Sequence, residues 1–88
     1  MKEALRKLLL TMLKDEYPQI KDIIISSTDL MGTGTTYRVG LGIKYNDLYE
    51  LGDERLDILK DEVKHLSKYL LGKNESFEQT FFYDPNQS

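Results

Sequence analysis

The chain has 88 residues, with 12 basic and 15 acidic side chains for a net charge of −3, one histidine, and neither cysteine nor tryptophan. That length suits one modest core and not two, and 40% apolar with 31% charged residues excludes a disordered tail or a membrane protein. The missing cysteines exclude a disulfide scaffold and any cysteine-held zinc or iron–sulfur site, and a lone histidine, His65, excludes a multi-histidine metal centre within the chain.

Lys2 to Glu16 carries Leu5, Leu8, Leu9, Met12 and Leu13, a spacing that places all five on one helical face. The longest apolar run there is Leu8–Leu10, and charges follow at Lys14, Asp15 and Glu16, so the segment reads as a helix and not a signal peptide. No stretch approaches the ~20 apolar residues of a membrane span, and a cytoplasmic location is expected. Tyr17-Pro18 stops the helix, because a residue before proline is pushed out of the α region. Ile20 to Asp29 is rich in β-branched residues and reads as a strand, with its register left open by the consecutive Ile23, Ile24 and Ile25. Leu30 to Gly34 is a loop with two glycines. From Thr35 to Tyr45, Tyr37, Val39, Leu41, Ile43 and Tyr45 alternate with Thr36, Arg38, Gly40, Gly42 and Lys44, the period of a half-buried strand. The two strands are expected to form a β-hairpin.

Asn46 to Gly52 reads as a loop. Asp53 suits an N-cap, and a second helix follows to about Leu71 with Leu56, Leu59, Val63, Leu66 and Leu70 on one stripe and Gly72 as its C′ residue. The stripe lasts only two heptads, so it suits packing on a sheet better than a coiled coil. Phe77 to Tyr83 reads as a last strand. The order is α-β-β-α-β, an α+β fold with a three-stranded sheet and two helices packed on one face, as a single small domain over 1–83 with a polar tail at 84–88.

Chemistry-bearing patterns are weak. Gly32-Thr33-Gly34-Thr35-Thr36 leads into a strand and lacks the Gly-Lys-Ser/Thr ending of a phosphate loop, so it reads as a hairpin turn. Asp47, Glu50, Asp53, Glu54, Asp57, Asp61 and Glu62 read as a solvated helix face with Lys60 and Lys64 as pairing partners. His65 follows Asp61 by four residues, but Ser67 points elsewhere on a helix, so an exposed or helix-capping histidine is expected. No catalytic constellation, metal site or cofactor is expected. Met1 to Lys21 holds five basic and three acidic side chains, a local +2 that leaves −5 for the rest. A nucleic-acid surface would use that first helix with Arg38 and Lys44, but a pI of about 5.1 argues against it.

Two features point to a partner. Gly40 and Gly42 fall on the face opposite the aromatic and aliphatic one, which suits a local bulge or twist, or a flat patch for another chain. Six tyrosines and three phenylalanines exceed what a small core hides, so Tyr45, Tyr49, Tyr69 and Phe82 are expected to stay partly exposed. Tyrosine is favoured at interfaces, and a three-stranded sheet leaves edges that invite pairing. The expected function is a non-enzymatic binding or regulatory protein acting through protein–protein contact, as a homodimer. Small acidic domains of this size include inhibitors, immunity proteins and adaptors, some carried by phages and mobile elements. The expected contact residues are Gly40, Gly42, Tyr45, Asp47, Tyr49 and Glu50. The alternatives are the nucleic-acid surface above and a small-ligand site at an oligomer interface.

Overall fold

In the computed structural model, which describes residues 1–86, the first helix, α1, spans Lys2–Leu13 and buries Leu5, Leu9 and Leu13. Met12 lies at the edge of the predicted stripe and stays 54% exposed. The helix stops three residues short of the expected Glu16. A further turn is closed by the Tyr17 N–H on the Leu13 carbonyl at 2.8 Å, which brings the Tyr17 ring into the core. Arg6 ties α1 to the next element: its Nε donates to the Ile23 carbonyl at 2.9 Å and its Nη2 to Asp22 Oδ1 at 2.6 Å.

Strands β1, Asp22–Leu30, and β2, Gly34–Gly42, form the expected antiparallel hairpin with Ile25 opposite Val39. Its tip is the four-residue turn Leu30–Thr33, closed by the Thr33 N–H on the Leu30 carbonyl, with Gly32 at φ +81° supplying the positive φ such a turn requires. The three isoleucines resolve by simple alternation. Ile23 is buried, Ile25 packs on the core, and Ile24 points to the other face.

Beyond Gly42 the expectation fails. The strand stops there and does not run to Tyr45, and residues 46–52 are no loop. A second helix, α2, spans Tyr45–Leu70, broken at Gly52 (φ 81°, ψ 163°), a backbone region only glycine adopts readily. The piece before the break is too short to be stable alone; Leu48 and Leu51 hold it by packing on the core. After the break, Leu59 and Val63 are buried and Leu66 and Leu70 pack beside them, so the stripe faces the core and not a coiled-coil partner. The helix ends at Leu71, which is extended (φ −71°, ψ 131°). Gly72 adopts no left-handed conformation; its N–H donates instead to Glu75 Oε1 at 2.8 Å.

Strand β3, Glu75–Tyr83, pairs parallel with β2, giving a mixed sheet in the order β1-β2-β3. Tyr37 faces Phe77 but Arg38 faces Gln79, so Glu78 is an extra residue, a bulge. The bulge switches the alternation. Phe77 and Phe82 both pack against the core, while Phe81 and Tyr83 turn to the opposite face, over Gly40 and Gly42. Phe82 is therefore half-buried, with Lys60 Nζ 5.6 Å from its ring centre. The fold is α+β, with both helices on one face of the sheet and one core between them. The tail begins anchored: Asp84 Oδ2 accepts the Tyr45 N–H at 3.3 Å and its Oδ1 accepts the Asn86 N–H at 2.9 Å. The last two residues of the expected polar tail, 87–88, lie outside the described residues.

Candidate functional site

The short first piece of α2 carries four of the six predicted contact residues. Tyr45 and Tyr49 are four apart, one above the other on a helix surface, and are 70% and 82% exposed. Glu50 is exposed, while Asp47, two residues from each tyrosine and so round the helix from both, is half-buried. Asp47 sits in the first turn, where a carboxylate suits the positive helix end, and the Asp84 carboxylate meets the same end through the Tyr45 N–H. Leu48 and Leu51 anchor this piece in the core, so the two tyrosines stand on a supported platform and not on a loose loop.

Gly40 and Gly42 are not part of that platform, and they present no bare patch. A Cβ on Gly40 would lie 2.5 Å from Phe81 Cζ and 2.8 Å from Ile24 Cγ1, and one on Gly42 would lie 2.9 Å from Tyr83 Cζ. Both glycines are buried beneath aromatic rings of the neighbouring strand. The two rings are 6.4 Å apart and tilted by 44°, within the range of favourable aromatic pairs. Burial raises the Tyr83 hydroxyl above its ordinary pKa, and the Asp22 charge adds to this. The sequence signal for this cover was present, glycines at i and i+2 on one strand and aromatics at i and i+2 on the next, but reading it required the strand pairing.

The remaining candidates separate. His65 Nδ1 donates to the Asp61 carbonyl at 2.8 Å, one turn back along its own helix, so the backbone and not the Asp61 carboxylate orients the exposed ring. Ser67 is buried. Among the described residues no group of three or more His, Cys, Asp or Glu side chains is placed to hold a metal ion, and no helix is long and apolar enough to cross a membrane. Of the cations that a nucleic-acid surface would use, Arg6 is engaged by Asp22 at 2.6 Å and Arg38 faces Glu78 at 3.5 Å. Tyr69 is exposed, like Tyr45 and Tyr49.

Three carboxyls have displaced titrations: Asp22, held down by its hydrogen bond from Arg6, Glu75 and Glu62. Glu75 accepts the Gly72 N–H and the Tyr37 O–H, each at 2.8 Å, and these bonds to its charged form hold it below the usual carboxylate range. Glu62 shifts the other way: burial favours its neutral form, and the Glu16 charge adds to the effect. A carboxyl raised on folding binds its proton more tightly in the native state. Its stabilising contribution is complete below the unfolded pKa and is lost as pH rises through the folded one. Glu62→Gln is therefore expected to be more stable than the wild type near neutral pH and equal to it in acid below the carboxylate range. Thermal unfolding across that pH range checks this, and a variant less stable at neutral pH contradicts it.

No protein-family model matches the chain, and no curated protein or solved structure matches it.

Proposed function

We propose that the chain is a non-enzymatic binding or regulatory protein of the inhibitor or adaptor kind, acting through protein–protein contact at the Tyr45–Glu50 helix. The observation that carries this reading is the pair Tyr45 and Tyr49, exposed one turn apart on a helix that Leu48 and Leu51 anchor in the core. Two large amphipathic side chains with few rotatable bonds offer contact area at little entropic cost. Tyrosine is also among the residues that dominate binding energy at interfaces. Glu50, next to Tyr49 and exposed, adds a negative charge at the edge of this surface that orients a partner with basic groups. The reading includes a homodimer, because β1 and β3 are both edge strands and open edges invite pairing. Light scattering at micromolar concentration tests that part, and a monomer mass removes it.

Affinity capture from the source cells tests the contact helix, with the wild type and Tyr45→Ala/Tyr49→Ala as baits. Both tyrosines are exposed, so the double variant is expected to unfold with the wild type. It is expected to recover its protein partners about ten-fold less efficiently or worse, as hot-spot truncations do. An unchanged set of partners overturns the site, and a wild-type bait that recovers no protein overturns the function.

A further inference from the structure

We propose that the groove between α1 and α2, on the side away from the sheet, receives a basic amphipathic segment of a protein partner. This rests on the reading above that the chain works by protein contact, and it names a second surface and its partner's chemistry. The groove encloses about 410 Å³. Its apolar lining comes from both helices: Met12 and Leu13 on one side, Ile58 and Leu66 on the other. Met12 and Ile58 are 54% and 48% exposed although they sit beside the core. Among the described residues neither strand nor loop covers them.

The rim is acidic. Glu16, Asp61 and Glu62 border the groove, and the two ion pairs among the described residues lie elsewhere, at Asp22 and Glu78. Glu62 Oε2 is out of contact with water and has no hydrogen-bond partner. An acceptor withdrawn from water without a donor is costly, and a cation at the rim relieves that cost when the Glu62 side chain turns outward to meet it. Among the described residues the one basic side chain on the lining is His65, whose Nδ1 is already committed to the Asp61 carbonyl. Apolar side chains flanked by lysine or arginine satisfy both features at once: they fill the floor and neutralise the rim. From Ile58 to Leu66 the groove runs along roughly 12 Å of helix at 1.5 Å per residue, the length of about two turns of a docked helix. A nucleic acid is repelled by the same carboxylates.

The test is a titration of the isotope-labelled full chain, followed by NMR, with a helical peptide bearing leucines on one face and lysines on the other. A matched peptide with glutamate in place of lysine is the control. The lysine peptide is expected to move the amide signals of Met12, Ile58 and Leu66, to weaken with added salt, and to lose about ten-fold in affinity on Ile58→Lys and on Asp61→Lys. Both positions are exposed, so neither substitution threatens the fold. No shift, shifts centred on other residues, or equal binding of the glutamate peptide overturns the proposal. So does movement of the same signals on raising the concentration of the chain alone, which assigns the groove to a second copy. The two proposals fail separately. An Ile58→Lys bait that still recovers every partner removes the groove and leaves the contact helix standing. A wild-type bait that recovers no protein removes the contact reading whatever the peptide does.

Discussion

Gly34→Ala is expected to lower stability by roughly 2–4 kcal/mol, more than any other single added methyl in the chain. Gly34 has φ +130°, where an alanine is strained whatever the space around it. The space is also occupied: a Cβ there would stand 2.1 Å from the Asn74 carbonyl oxygen. That oxygen belongs to the backbone and already accepts the Thr35 N–H at 2.9 Å, the first link between β2 and the turn that leads into β3. A side chain can swing away from an intruding methyl, but this carbonyl can do so only by breaking that link. Gly32→Ala is the internal control. Its φ is +81° with nothing within 4 Å, so it pays for conformation alone, about 1 kcal/mol. Urea unfolding of both variants decides the matter. A Gly34→Ala midpoint no lower than that of Gly32→Ala contradicts the close approach.

The second large effect is a coupling. Gly40→Ala is expected to destabilise by about 1–3 kcal/mol, as overpacking does, because its methyl would overlap the Phe81 ring and Ile24 Cγ1. Phe81→Ala alone is expected to cost about 2 kcal/mol by uncovering the backbone at Gly40. With the ring gone, only the half-exposed Ile24 side chain has to give way, and the alanine methyl restores some apolar cover to β2. The double variant is therefore expected to be more stable than the two losses added together predict, by about 1 kcal/mol or more. Strictly additive losses contradict the ring-over-glycine arrangement, in which an aromatic on one strand stands in for the missing side chain on the next.

The parts legible in the sequence were those governed by period. The stripe of Leu5, Leu9 and Leu13, the alternation of Tyr37, Val39 and Leu41, and the row Leu59, Val63 and Leu66 each declare a face, and the faces suffice for the α-β-β-α-β order and a one-sided sheet. The missed parts depend on neighbours distant in sequence. Residues 45–51 carry only two inward leucines, Leu48 and Leu51, too few to show a helical period, and their helix exists because the core receives them. Gly52 resembles a loop glycine but is a break between two helical pieces. The bulge at Glu78 leaves no local mark, yet it decides that Phe81 and Tyr83 cover the glycines while Phe82 enters the core. Of the predicted contact residues, Tyr45, Asp47, Tyr49 and Glu50 share one short helix and Gly40 and Gly42 do not join them. The α1–α2 groove was missed because its apolar members belong to the edges of stripes whose centres are buried.

The most direct measurement places a photo-crosslinking amino acid at position 49 in the intact chain, irradiates it in the source cells, and analyses the adducts by mass with and without nuclease treatment. The 82% exposed Tyr49 position accepts the replacement without touching the core. The predicted result is a discrete protein adduct, insensitive to nuclease and diminished by the companion substitution Tyr45→Ala. Adducts to nucleic acid alone, or none above those formed from an exposed position remote from the contact helix such as Met31, contradict a protein contact at this helix.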